Sequence, residues 1–69
     1  MARPRPIGDE VLIIKALGDL LEADPIKIGR KIDRTTPHVE YLCRYMRGHG
    51  YLAKIGRRYI LTPEGEKEL

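Results

Sequence analysis

The sequence has few of the residues that small domains use as covalent or metal-bound supports. Its 69 residues include a single cysteine, Cys43, which excludes a disulfide bond within the chain. The other soft metal ligands are His38 and His49, and no C-x-x-C or H-x-x-x-H spacing occurs, which argues against a zinc site. A chain of this length buries only about 60% of its unfolded surface, so we expect self-association to supplement a small core.

Catalytic residues are also scarce. The sequence contains no serine, which excludes a serine nucleophile. His38 and Cys43 are five positions apart, so they lie on different faces of a helix and cannot form a Cys–His pair. Residues 48–50 read Gly-His-Gly but lead into a predicted strand, whereas a phosphate-binding glycine loop leads into a helix. Because so short a chain has no room for a buried cleft, we expect a protein that is not an enzyme and has no cofactor, metal or small-molecule ligand.

Long hydrophobic runs are absent as well. The longest run covers residues 11–14, far short of the ~20 residues that a membrane helix needs. Asp9 and Glu10 interrupt the position where the apolar part of a signal peptide would follow Arg3 and Arg5. We therefore expect a cytoplasmic protein that does not bind membranes.

Charge is distributed unevenly along the chain. Thirteen Lys and Arg residues and ten Asp and Glu residues give a net charge of +3. Residues 27–58 hold nine of the cations and two of the anions, a local charge of +7, while the rest of the chain carries −4. This split favours one surface that faces a polyanion; an ordinary solvated surface with uneven charge is the alternative.

Alternating arginine and proline begin the chain and a helical pattern follows. Residues 3–6 cannot form a regular helix, so we expect residues 1–8 to be a flexible basic arm. Asp9 is the predicted N-cap of a first helix that runs to about residue 22. The apolar arc of this helix is wide, with Val11 and Leu12 outside its main stripe, so we expect it to form the contact of a homodimer.

Helix-start and turn signals divide the rest of the chain. Asp24-Pro25 and Thr36-Pro37 each place a capping side chain before a proline, which is typical of a helix start. Gly56-Arg57 suits a type II′ turn between two β-rich segments. The remaining elements are therefore expected at residues 25–32 and 37–47 (helices), 51–55 and 58–62 (strands) and 63–69 (a short last helix).

This order predicts a fold that is mainly α with a small β-hairpin, in the α+β class, and it resembles a winged helix-turn-helix over residues 9–69. The matching motifs are Ile28-Gly29-x-x-Ile32, Thr35-Thr36-Pro37-x-Val39-x-x-x-Cys43, Met46-x-x-x-Gly50-Tyr51-Leu52 and Tyr59-x-Leu61-Thr62-x-x-Gly65. The chain resembles small prokaryotic winged-helix regulators, most of all archaeal ones of the phage-repressor type, and is similar to the cores of the ArsR and MarR families. Two departures are the short hairpin and Gly29, which stands where these proteins usually have alanine.

The resemblance implies a transcriptional repressor that binds double-stranded DNA. In such proteins the third helix enters the major groove and the hairpin, or wing, lies on the DNA backbone, here through residues 55–58. The residues agree with this, because a buried stripe of Val39, Leu42, Cys43 and Met46 leaves arginine and aromatic side chains on the opposite side of the helix. The side chains predicted to contact DNA are those of Thr35, Thr36, Pro37, His38, Tyr41, Arg44, Tyr45, Lys27, Arg34, Arg57 and Arg58.

Two other functions fit the same sequence. Winged helices also serve as protein-interaction modules, in which Tyr41, Tyr45 and Met46 would anchor a partner. Non-specific binding to nucleic acid is the other alternative. Some residues also have a structural interpretation: Thr36 as a helix cap, and Glu40 as a charge that stabilises the helix start. The alternative for Glu40 is a hydrogen bond from cytosine, since a carboxylate can accept from that base.

Overall fold

The structure is a computed structural model, and it describes residues 4–69. Over this range the chain forms four helices and a three-stranded antiparallel sheet. The helices are α1 (Asp9–Leu20), α2 (Pro25–Ile32), α3 (Thr36–Gly48) and α4 (Pro63–Glu66). The strands are β1 (Glu22–Ala23), β2 (Leu52–Ile55) and β3 (Arg58–Leu61). The α+β class is confirmed, and the predicted helices and hairpin occur in the predicted order.

Strand β1 is an addition that the sequence analysis did not predict. Helix α1 ends at Leu20 rather than near residue 22, because Leu21 adopts a φ of 71° while its N–H donates to the carbonyl of Leu17 at 2.8 Å. This turn sends the chain toward β3, where β1 pairs antiparallel with Ile60 and Tyr59. The strand order is β1-β3-β2, so β3 is the central strand of the sheet.

The helix starts agree with the sequence signals in two cases and differ in two. The hydroxyl of Thr62, which precedes Pro63, accepts a hydrogen bond from the N–H of Gly65 at 3.1 Å and caps α4. Oδ1 of Asp24 accepts a hydrogen bond from the N–H of Lys27 at 2.9 Å, so the predicted N-cap of α2 is confirmed. The prediction that Asp9 caps α1 is wrong, because Gly8 is the N-cap and Asp9 is the first helical residue. The prediction that Thr36 caps α3 is also wrong, because α3 already includes Thr36, and Thr35 is the N-cap. Proline can occupy the second helical position as well as the first, since neither N–H there has a partner within the helix.

Gly29 is required by the tight turn between α2 and α3. A Cβ atom at Gly29 would lie 2.7 Å from the carbonyl oxygen of Arg34, far inside a normal contact distance. The N–H of Arg34 donates to the carbonyl of Gly29 at 2.9 Å, which closes the turn. The glycine that departs from the usual alanine therefore lets the turn backbone approach α2 closely.

The hairpin turn has the conformation that its sequence predicts. Gly56 has a φ of 63°, and Arg57 has no positive φ. This combination fits a type II′ turn and excludes type I′, which needs positive φ at both central positions. The strands β2 and β3 pair in the register Leu52↔Leu61 to Ile55↔Arg58.

Helix α1 lies at the centre of the packing. It contacts α2, α3, α4 and β3. Its side chains Ile13, Ile14, Ala16 and Leu17 are buried in the core. The wide apolar arc of α1 is thus used mainly within the chain, and Leu12 remains 36% exposed.

The described part of the predicted N-terminal arm contacts the folded domain. The hydroxyl of Tyr51 donates to the carbonyl of Pro4 at 2.8 Å. The guanidinium of Arg5 forms an ion pair with Glu68 at 3.2 Å. Arg3, which belongs to the same predicted arm, lies outside the described residues. Among residues 4–69, no helix has the length and apolar character needed to cross a membrane.

Candidate functional site

Helix α3 presents one long side to solvent. Its side chains Val39, Cys43 and Met46 are buried and Leu42 is partly buried, which confirms the predicted apolar stripe. The opposite side includes Tyr41, whose side chain is 64% exposed. We call the exposed residues on this side the α3 face; they are Pro37, Glu40, Tyr41, Arg44 and Arg47.

One carboxylate oxygen holds two of the side chains that were predicted to contact DNA. Oδ2 of Asp9 lies 3.0 Å from Nε of Arg34 and 2.9 Å from Nε2 of His38. The hydrogen bond from Arg34, and then that from His38, lowers the pKa of Asp9 below its ordinary value. The same carboxylate raises the pKa of Arg34. We call these three residues the Asp9 cluster.

The Asp9 cluster joins the α2–α3 turn to the start of α1. Arg34 also donates through Nη1 to the carbonyls of Ile32 and Asp33, at 3.3 and 3.0 Å. Arg34 and His38 remain partly accessible to solvent, with side chains that are 41% and 44% exposed. The structure therefore places His38 beside α1 rather than on the α3 face, and it gives Arg34 a role within the fold. Contact of either side chain with DNA stays a prediction.

The start of α3 is open to solvent. Thr35 has extended backbone, and its side chain makes no capping hydrogen bond. Thr36 is partly buried, and Pro37 follows it on the α3 face. The free N–H groups of this helix end and the hydroxyl of Thr35 are donors of the kind that bind phosphate at helix N-termini.

A groove runs between α3, the start of α2 and the hairpin. Thr36 and Glu40 line it from α3, and Lys54 and Arg57 line it from the hairpin. Ile26 at the start of α2 adds an apolar side chain that is 52% exposed. The groove thus brings cations of the hairpin next to the α3 face, which the sequence alone did not establish.

The two adjacent arginines of the hairpin have different surroundings. Arg57 lies in the turn, lines the groove and makes no ion pair with any residue between 4 and 69. Arg58 is the first residue of β3 and forms an ion pair with Glu22 of β1. Of the pair predicted to meet phosphate together, only Arg57 has a guanidinium without a partner in the described chain.

The cations of α2 are divided in a similar way. Lys27, one of the predicted contacts, is exposed, and its ammonium group has no ion-pair partner in the part of the chain that the structure describes. Lys31 forms an ion pair with Asp19 of α1 at 3.6 Å. Lys27 is therefore the freer of these two side chains to meet a ligand.

Tyr45 lies beside the α3 face rather than on it. Its side chain is 41% exposed, and its ring centre is 4.5 Å from that of His49. A second groove is lined by Tyr45 together with Leu42 and Ile7, which precedes α1. Tyr45 follows Tyr41 at i+4, so the two side chains are neighbours along the helix, and Tyr45 also borders the second groove.

Lys54 was not singled out from the sequence. Side chains alternate along β2, so Lys54 shares a sheet face with the buried Leu52. That position gives no reason to expect Lys54 at a binding site. That face opens at the groove, where Nζ of Lys54 lies 5.8 Å from the ring centre of Tyr59. The hairpin register, which pairs Lys54 with Tyr59, is the signal that could have located it.

Comparison with known proteins does not identify a family. No protein-family model matches the chain, and no curated protein or solved structure is similar enough to count as a match.

Proposed function

We propose that the protein is a winged helix-turn-helix DNA-binding protein that represses transcription. The element order supports this: α2, a tight turn and α3 are followed directly by the β2–β3 hairpin, as in winged helices. The observation that carries the proposal is the α3 face, an exposed surface with Tyr41, Arg44 and Arg47. Its residue Glu40 lines the groove that also contains the hairpin cation Arg57. In the proposed complex α3 lies in the major groove of double-stranded DNA.

The α3 face has side chains suited to base edges. A guanidinium such as that of Arg44 can donate two parallel hydrogen bonds to O6 and N7 of guanine. Tyr41, one turn earlier, is nearer the helix start, where base contacts of recognition helices concentrate. Arg47 lies one turn beyond Arg44 toward the helix end, and in this proposal it meets the phosphate backbone.

Phosphate contacts in this proposal come from three sides of the α3 face. The start of α3 supplies N–H groups and the hydroxyl of Thr35. The hairpin supplies Arg57 and Lys54, and α2 supplies Lys27. Arg34 and His38 also support the site through Asp9, while Nη2 of Arg34 makes no hydrogen bond with residues 4–69 and remains a donor for phosphate.

We also propose that the protein binds DNA as a homodimer, which would require a palindromic site. The surface that α1 offers to a second copy is limited to its exposed rim, including Leu12 and the partly buried Val11, because most of its apolar arc lies in the core. Sedimentation velocity with and without a selected duplex tests this, since a dimer doubles the mass of the free or DNA-bound protein. A monomer without duplex, together with a single chain bound per duplex, contradicts the proposed dimer.

A salt series in a gel-shift assay tests the main proposal. Binding through several phosphates requires a steep fall in affinity with salt. Arg44→Ala should weaken the binding free energy for the duplex that binds most tightly by roughly 1–3 kcal/mol, and it should relax the sequence preference at one base pair. Lys67→Ala is the matched control, because it removes an exposed cation beyond α4 and should leave the preference unchanged. Absence of duplex binding at low salt, or a flat salt dependence, excludes the proposal.

A protein-docking function is the second candidate, and the exposure of Tyr41 at 64% and Tyr45 at 41% favours it. The expectation that Met46 also anchors a partner is wrong, because Met46 is buried in the core. Aromatic side chains are common anchors of protein interfaces. A complex with a protein partner that is insensitive to salt and survives Arg57→Ala would support this function over DNA binding.

A further inference from the structure

Glu40 has no structural partner on the surface where it lies. It is exposed and forms no hydrogen bond or ion pair with the residues from 4 to 69. Arg44 follows it at i+4, a spacing at which Glu–Arg pairs stabilise helices, yet the two side chains do not form an ion pair. Helix stabilisation by a local ion pair therefore does not explain this carboxylate.

Its place in the helix removes the second structural explanation. A carboxylate stabilises a helix N-terminus when it lies in the first turn, because the effect of the dipole fades beyond that turn. Helix α3 starts at Thr36, so Glu40 is its fifth residue, and the first turn contains no acidic residue. The expectation that Glu40 serves as a helix-start charge is thus not supported by the position where α3 begins.

Glu40 lies at the groove between α3 and the hairpin. It is the sole carboxylate in the sequence of α3, and it lines the groove that Lys54 and Arg57 line from the hairpin. A carboxylate on a surface that faces phosphates weakens binding to every duplex by repulsion. A hydrogen bond donated by a base edge would offset that cost.

We propose that Glu40 accepts a hydrogen bond from the exocyclic amino group of a cytosine in the major groove, an inference that rests on the proposed DNA binding. An ionised carboxylate only accepts hydrogen bonds, and N4 of cytosine is a donor in the major groove. Opposite guanine or thymine the carboxylate would instead face O6 or O4, both acceptors, and would lose its water without a replacement. Adenine also presents a donor, N6, but its acceptor N7 lies beside that donor and repels the carboxylate. Glu40 therefore selects sequence mainly by weakening the binding of duplexes that have another base at this position.

Selection of duplexes from a random pool, followed by competition binding, tests this inference with three proteins. For Glu40→Ala we expect tighter binding to random duplex, loss of the cytosine preference at one position, and a fall of about 10- to 100-fold in the ratio of selected to random affinity. For Glu40→Gln we expect the preference at that position to change from cytosine to adenine, since a glutamine amide matches N6 and N7 of adenine. Glu64→Gln is the matched control, because it removes one exposed carboxylate on α4 and should leave the ratio unchanged.

The results separate failure of this inference from failure of the proposed function. If Glu40→Ala strengthens binding to selected and random duplexes equally, or if the cytosine preference persists, Glu40 is a solvated surface charge and the inference is wrong while DNA binding stands. If the unmodified protein shows no duplex binding at low salt, the proposed function itself fails. Circular dichroism and thermal melts of each variant establish that the changes in binding do not come from unfolding.

Discussion

The carboxylate of Asp9 and the guanidinium of Arg34 meet at 3.0 Å although 25 positions separate them in the chain. Asp9 begins α1, and Arg34 lies in the turn between α2 and α3. The pair therefore fixes the turn against the first helix, and His38 adds a second contact from the first turn of α3. The cluster thus links the starts of α1 and α3 and the turn before α3.

Asp9→Asn should lower the stability of the protein in a pH-dependent way. The pKa of Asp9 in the folded protein is below its ordinary value of 3.8, so the ionised carboxylate stabilises the fold above that pH. This contribution is lost as the pH falls through the lower pKa of the folded state. Urea denaturation should show a less stable variant at neutral pH and a smaller difference from the unmodified protein near the acid limit of folding.

Asp19→Asn is the matched control for the Asp9 cluster, because Asp19 makes only an exposed ion pair with Lys31 at 3.6 Å. Exposed pairs of this kind contribute little to stability. A loss of stability in Asp9→Asn that is the same at every pH would show that the packing of the side chain, and not its charge, is what matters.

Gly29→Ala should destabilise the fold although alanine is the better helix former. The new Cβ would lie 2.7 Å from the carbonyl oxygen of Arg34, and relieving that overlap should cost about 1–3 kcal/mol in the free energy of unfolding. Gly48→Ala is the control at the end of α3, where a Cβ meets no atom within 4 Å, and it should be neutral or stabilising by up to ~1 kcal/mol. Thermal denaturation of both variants checks the contrast. Equal stabilisation by both would mean that the turn moves away without cost.

The thiol of Cys43 should react only when the protein unfolds. Burial, with a smaller effect from the charge of Glu40, raises the pKa of Cys43 to about 12, so almost no thiolate forms at neutral pH. Labelling with a disulfide reagent should be slow in buffer and complete in urea, and its dependence on urea should follow the unfolding transition. Rapid labelling of the native protein would contradict the burial of this side chain in the core.

Arg57→Ala and Arg58→Ala should differ in their effect on DNA binding although the residues are adjacent. Arg57 lines the groove without an ion pair in the described chain, whereas Arg58 already pairs with Glu22. We expect Arg57→Ala to weaken binding to all duplexes alike and to reduce the salt slope by about one unit. Arg58→Ala should have the smaller effect in the same titration. The reverse order would show that Arg58 leaves Glu22 to bind phosphate.

The parts of the fold that the sequence predicted correctly depend on residues close together in the chain. The apolar stripe of α3, the Asp24 cap and the glycine turn of the hairpin are each specified by residues within a few positions of one another. Helix ends were predicted less well, as the different N-caps of α1 and α3 show. Whether a side chain caps a helix depends on the group to which it hydrogen-bonds. The carboxylate of Asp9 accepts from Arg34 and not from an N–H at its own helix end.

The sequence by itself determined that an arginine and aromatic surface lies opposite the buried stripe of α3, because helical periodicity alone separates the two sides. Only the tertiary structure decided which cations near that surface are free. His38 and Arg34 are bound by Asp9, Arg58 by Glu22, and Arg57 remains in the groove. These pairings join residues 25 or more positions apart, so they depend on how the helices and strands pack and leave no pattern in the local sequence.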